Sequence, residues 1–173
     1  MSLFRLIYAS RAAEALTPAD HEQILASSRR NNAKVGVTGL LAFGAREFLQ
    51  CLEGSREAVN ATYARILGDP RHQDIQLIDC RDVDQRWFGE WGMHGLPPSR
   101  LTRQRVLRYS ERELFTPTRM PGASAIALLA ELARELEAMP EAPAAPAPTA
   151  PAAAEAVRGR EGLLSRIGLK RPD

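Results

Sequence analysis

Two apolar runs, residues 35–43 and 47–53, are joined by nothing more than Gly44-Ala45-Arg46. A connection that short returns the second run antiparallel beside the first, so the chain must build a sheet around this hairpin. Alternation along the second run puts Phe48, Gln50 and Leu52 on one face, with Glu47, Leu49, Cys51 and Glu53 on the other. Gln50 is thus an amide set among hydrophobes, and a buried polar group needs a partner or costs about 1–3 kcal/mol. Gly36 and Gly39 in the first run let another backbone or a ring come close.

Around the hairpin the chain alternates strands and helices. Residues 3–9 read as a strand with Phe4, Leu6 and Tyr8 on one face. Thr17, Pro18 and Asp20 form a helix start, predicting a helix that runs to about Asn31. Gly54-Ser55 opens a second helix over residues 56–67, with Val59, Tyr63, Ile66 and Leu67 at core spacing, and Gly68-Asp69-Pro70-Arg71-His72 ends it. Strands at 75–81 and 88–93 complete the order βαββαββ. That order predicts an α+β, ferredoxin-like fold: a five-stranded mixed sheet with two helices on one face, followed by C-terminal helices.

Beyond Pro97-Pro98 the pattern predicts a short helix near residues 111–115. A better one over 124–139 carries Ile126, Leu129, Leu132, Ala133 and Leu136 on an apolar side. Prolines at 140, 143, 146, 148 and 151 among alanines then read as a semi-extended linker. The organisation expected is a ligand-binding domain over 1–97, a helical extension over 98–139, a Pro/Ala-rich linker over 140–157 and a basic tail over 158–173.

The 173 residues, 45% of them hydrophobic, suffice for one domain with a core. The formal charge is +2, yet Arg158, Arg160, Arg166, Lys170 and Arg171 against Glu161 and Asp173 put +3 in the tail. The rest carries about −1, which argues against nucleic-acid binding by the core domain. Cys51 and Cys80 lie too far apart for a C-x-x-C motif and read as small hydrophobes in a reducing compartment. No transmembrane segment or secretory leader is legible, so a cytoplasmic location is expected.

Candidate binding residues converge by spacing. Ile24, Ser28 and Asn32 are four apart on one helical stripe, which ends in the polar run Ser28-Arg29-Arg30-Asn31-Asn32. Tyr8 and Gln50, both facing inward from strands of one sheet, either satisfy one another or meet a ligand. A surplus of uncharged amides suits the carbonyl and imide edge of a flat heterocycle. Arg29, Arg30, Lys34, Arg65, Arg71 and His72 are either a phosphate clamp or solvated surface. His21, His72 and His94 lack metal-ligand spacing, and no nucleophile or phosphate-loop motif occurs. Trp91 and Met93 share a face of the expected last strand, as core packing or as a movable reporter.

From Leu3 to about Gly95 the chain resembles the BLUF family, the blue-light sensors that use FAD. The resemblance rests on Leu6-Ile7-Tyr8-Ala9-Ser10, Ser28-Arg29-Arg30-Asn31-Asn32, Gly36-Val37-Thr38-Gly39-Leu40-Leu41 and Phe48-Leu49-Gln50-Cys51-Leu52-Glu53-Gly54. It continues through Tyr63-Ala64-Arg65-Ile66, Asp69-Pro70-Arg71-His72 and Phe88-Gly89-Glu90-Trp91-Gly92-Met93. It implies a noncovalent flavin, FAD with FMN or riboflavin as alternatives, held between the two helices. The residues expected around it are Tyr8, Ile24, Ser28, Asn31, Asn32, Phe48, Gln50 and Leu52, with Arg65, Asp69, Arg71 and His72 near its tail.

By the same resemblance, blue light draws an electron and then a proton from Tyr8. The charges recombine, and the Gln50 side chain is left in a changed orientation or tautomer. Trp91 and Met93 match the family's readout positions on the last strand, and His94 stands where a glycine is common. No enzyme activity is expected. The implied output runs through the last strand and C-terminal helices to an unidentified downstream protein partner, in a homo-oligomer, as a dimer. The competing functions are a flavin-dependent oxidoreductase and an acylphosphatase-like hydrolase using Arg11 and Asn32.

Overall fold

The computed structural model describes residues 2–89 and 92–138; Trp91, the expected linker and the basic tail lie outside the described residues. Five strands form one mixed sheet: β1 (Leu3–Ala12), β2 (Thr38–Gly44), β3 (Glu47–Ser55), β4 (His72–Val83) and β5 (His94–Leu96). Their spatial order is β4-β1-β3-β2-β5, antiparallel except where β5 pairs parallel to β2. Helix α1 (Pro18–Lys34) connects β1 to β2, and α2 (Arg56–Leu67) connects β3 to β4. This is the ferredoxin-like βαββαβ order with an added strand.

The hairpin turns through Ala45 and Arg46, at φ 47° and 64°. Two successive positive φ values make the tight connection whose twist matches paired strands, here without glycine at either position. The Ala12 N–H donates to the Arg46 carbonyl and the Arg46 guanidinium to the Ala13 carbonyl, so the turn is tied down from β1. Thr17 caps α1 in a reciprocal box with Asp20, and Ser55 caps α2 by accepting from the Ala58 N–H.

The sheet separates two cores. On one face Phe4, Leu6, Tyr8, Leu41, Phe48 and Leu52 pack with Ile24 and Leu25 of α1 and Val59 of α2. On the other, Ile7, Ala9, Leu40, Ala42, Leu49 and Cys51 meet α4 (Gly122–Ala138) through Ala125, Leu128, Leu129, Leu132 and Ala133. The apolar stripe of the C-terminal helix therefore closes the sheet face turned away from α1 and α2.

Three sequence expectations need correction. Of the strand expected at 88–93, the described residues Phe88, Gly89, Gly92 and Met93 are not in a strand; pairing with β2 begins at His94, and Met93 precedes it. The Gly92 and Met93 carbonyls accept from the side chains of Asn32 and Arg29 instead of from a neighbouring strand. The first run of the hairpin starts at Thr38, because α1 continues to Lys34 and Gly36, at φ +66°, turns the chain. Finally, residues 111–115 are not helical. The short helix is α3 (Arg103–Tyr109), started by Thr102 accepting from the Arg105 N–H, while Phe115 is buried against the second core.

Candidate functional site

α1 and α2 flank a cleft whose floor is the sheet. Its cavity volume is about 120 Å³. It is lined from α1 by Ile24, Ser27, Ser28, Asn31 and Asn32, from α2 by Thr62, Arg65 and Ile66, from the following turn by Asp69 and Arg71, and from the sheet by Gln50 and His72. The four-residue spacing of Ile24, Ser28 and Asn32 brings them to one wall, as their periodicity predicts. Ser27 and Thr62 were not singled out from the sequence, and Ile66 was read as core. Their signal was present: Ser27 stands four before Asn31, and Thr62 and Ile66 are four apart on one stripe of α2.

Gln50 is the polar centre of the floor. It is 3% exposed, and β1–β3 pairing sets it directly opposite Tyr8. The Tyr8 hydroxyl donates to Gln50 Oε1, and Gln50 Nε2 lies 3.5 Å from Met93 Sδ, its acceptor. Tyr8 itself is fully buried behind Gln50 and does not line the cleft. Burial, with smaller contributions from Tyr63 and Asp69, drives the Tyr8 phenol far above its ordinary range. A register shift in the β1–β4 ladder falls between Ile7 and Tyr8, a bulge beside the residue whose aim matters.

Asn32 and Arg29 hold the segment that enters β5. Asn32 Nδ2 donates to the Gly92 carbonyl at 3.3 Å, and Arg29 Nε to the Met93 carbonyl at 3.0 Å. Arg29, a phosphate-clamp candidate from sequence, is thus committed to the chain. Ser28 and Asn31 line the cleft without a side-chain hydrogen bond to another described residue, leaving donors and acceptors for a ligand. Phe48 and Leu52 are buried on the same sheet face as Gln50 but outside the cleft lining.

At the far end of the cleft the charges are paired among themselves. Arg71 grips Asp69 through both carboxylate oxygens, at 2.9 Å from Nε and 2.5 Å from Nη2. That contact holds the Asp69 carboxyl below its ordinary range. Arg65 donates to Thr62 Oγ1 at 3.0 Å. His72 Nδ1 lies 2.9 Å from Ser10 Oγ, and burial lowers the imidazole to about 4, so the ring is neutral at pH 7. Arg11 pairs with Asp74 and does not join Asn32 in the cleft, so the two residues of the hydrolase alternative are not brought together.

The donor set fits a flavin. Apolar side chains on opposite helices, Ile24 and Ile66, can flank a planar ring, while Ser28, Asn31, Asn32 and Gln50 offer neutral hydrogen bonds to its edge.

A model of the family described as BLUF, sensors of blue-light using FAD, matches residues 3–94. The blue light- and temperature-regulated antirepressor BluF of Escherichia coli (strain K12) is 36% identical over 91 residues, covering 53% of this chain and 23% of that protein. The photoactivated adenylate cyclase subunit beta of Euglena longa is 32% identical over 91 residues, covering 52% of this chain and 11% of that one. The chain thus spans a quarter or less of the length of these curated relatives. Among solved structures, the photo-activated state of BlsA has a TM-score of 0.68 at 28% identity, covering 76% of this chain and 94% of that one. The dark state of the BLUF protein BlrB has a TM-score of 0.64 at 30% identity, covering 78% and 97%.

Proposed function

The chain belongs to the BLUF family, sensors of blue light using FAD, and from that premise we propose that Tyr8, Gln50 and Met93 form its light-operated switch. The observation that carries the proposal is the continuous line of buried contacts from the Tyr8 hydroxyl through the Gln50 amide to the Met93 thioether. An amide has one donor end and one acceptor end, so reversing or tautomerising it rewrites both contacts at once. A bound flavin supplies blue-light absorption and an excited state that accepts an electron.

Ser28, Asn31 and Asn32 hold the ring edge, Ile24 and Ile66 flank it, and Phe48 and Leu52 back the floor. Arg65, Asp69, Arg71 and His72 meet the tail of FAD, with FMN or riboflavin as lesser ligands. Tyr8 is the source of the electron and proton. Burial raises its phenol's pKa, which disfavours loss of the proton ahead of the electron. Electron and proton both return to Tyr8, so the cycle ends with no net oxidation. What persists is the altered hydrogen bonding of Gln50.

The output is conformational and non-enzymatic. Met93 leads into β5, β5 lies at the edge of the sheet, and α4 covers the opposite face, giving a route to a separate protein partner or a second copy of the chain. The antirepressor relative fits an output of that kind. Among the described residues no helix is long and apolar enough to cross a membrane. The test is spectroscopic: flavin-loaded protein under blue light should show a reversible red shift without bleaching. Bleaching to reduced flavin with a donor would favour an oxidoreductase, and failure to take up flavin would overturn the assignment.

A further inference from the structure

Glu53 lies three residues beyond Gln50 on β3, on the opposite face of the sheet, and is fully buried. Its carboxylate accepts from Arg5 Nε at 2.6 Å, from the Trp87 N–H at 2.9 Å and from the Phe88 N–H at 3.0 Å. Arg5 also donates to the Gln85 carbonyl at 3.0 Å, and its guanidinium lies 3.5 Å above the Trp87 ring. Arg86 reinforces the contact by donating to the Glu53 carbonyl at 2.8 Å, to Thr38 Oγ1 at 2.7 Å and to the Gly36 carbonyl at 3.0 Å.

A buried ion pair is a poor way to gain stability, since a well-packed apolar pair does as well or better. What this one specifies is position. It fixes the backbone N–H groups of Trp87 and Phe88 against β3, and the same connection then delivers Gly92 and Met93 to Asn32, Arg29 and Gln50. One strand therefore holds the β4–β5 connection at two places: through Glu53 on its α4 face and through Gln50 on its cleft face. A push on Met93 moves β5 only if the other end of the connection stays still; a loose end would absorb it.

We propose that Glu53, held by Arg5, is a positioning residue for the light response: it anchors residues 85–88 so that a change at Gln50 is delivered to Met93 and β5. The proposal rests on the photoreceptor reading above. The test uses the full flavin-loaded chain with Glu53→Gln, which keeps the shape and one acceptor oxygen while removing the charge. The flavin and the amplitude of the red shift should be retained. Dark recovery should speed up by about fivefold, and the light-minus-dark difference in hydrogen exchange over residues 92–96 should fall by roughly half or more, within the range that substitutions in coupled networks produce.

Wild-type recovery and an undiminished exchange difference in Glu53→Gln would overturn the role, even if its melting temperature fell. Arg86→Ala, which leaves the buried charges in place, should move both readouts in the same direction and decides the matter if Glu53→Gln does not fold. A wild-type chain without any light-driven shift would instead overturn the photoreceptor reading itself.

Discussion

Tyr8 and Gln50 are register partners across the β1–β3 ladder, and the Tyr8 hydroxyl donates to the Gln50 amide oxygen. Neither side chain has solvent as a substitute partner, since Tyr8 is wholly buried and Gln50 nearly so. Tyr8→Phe leaves the Gln50 oxygen without its donor and should cost about 1–3 kcal/mol of stability. Gln50→Ala removes the amide that joins Tyr8 to Met93. Both variants should still take up flavin through the α1 and α2 walls, and both should lose the normal red shift on illumination. Difference spectra of the two purified variants check this; a normal photocycle in either would place the switch elsewhere.

The neutral imidazole of His72 makes stability fall in acid. In the unfolded chain His72 takes up a proton near its ordinary 6.5, whereas in the fold burial holds it neutral down to about 4. Below pH 6.5 the unfolded state therefore binds more protons, and the native state loses ground by about 2 kcal/mol from this residue by pH 5. Above pH 6.5 the effect vanishes. Asp69 opposes the shift and Arg71 adds to it, while burial lowers His21 and His94 in the same direction. His72→Gln, which keeps an amide for Ser10, should flatten the difference in urea-unfolding free energy between pH 7 and pH 5 by about that amount. An unchanged slope would mean that water reaches the ring.

At the tail end of the cleft a phosphate must compete with a carboxylate, because Asp69 already occupies the Arg71 guanidinium. Asp69→Asn removes the competing charge and should tighten FAD and FMN relative to riboflavin. Arg71→Ala should weaken FAD and FMN by about tenfold, the worth of one charged hydrogen bond, and leave riboflavin nearly unchanged. Titrations of the three flavins by fluorescence quenching separate the cases. Equal losses for all three would assign Arg71 to the shape of the turn.

The parts of the fold that were legible are those where local signals and packing agree. Ser55 and Gly68 bracket α2 where the sequence reading places it, and the alternation of β3 puts Gln50 and Glu53 on opposite faces. The cleft wall from Ile24 to Asn32 follows from helical spacing alone. The entry to β5 was not legible, because its carbonyls are satisfied by the side chains of Asn32 and Arg29, and nothing in a pattern of apolar residues signals that. Helix α3 was missed for another reason. Its cap, Thr102, is plain, but it offers little apolar face, with Val106 buried and Leu107 turned to solvent. The anchoring role of Glu53 needed three dimensions, since its partners Arg5, Trp87 and Phe88 come from distant parts of the chain.

Gly92 sets the closeness of the switch to α1. A Cβ on it would lie 2.8 Å from the Arg29 carbonyl oxygen and 3.2 Å from the Ala33 nitrogen, both backbone atoms that cannot rotate aside. Gly92→Ala must therefore lift residues 92 and 93 away from the helix. The Asn32 contact there is already long: its amide reaches the Gly92 carbonyl at 3.3 Å, and Gln50 Nε2 lies 3.5 Å from Met93 Sδ. The substitution should cost about 1–3 kcal/mol as overpacking and detach the thioether from Gln50. The variant should bind flavin yet recover faster in the dark, with hydrogen exchange at β5 already raised before illumination. Gly89→Ala is the control, because a Cβ there meets nothing within 4 Å, and it should behave as wild type. If the two variants recovered alike, close packing of Gly92 on α1 would have no part in the switch.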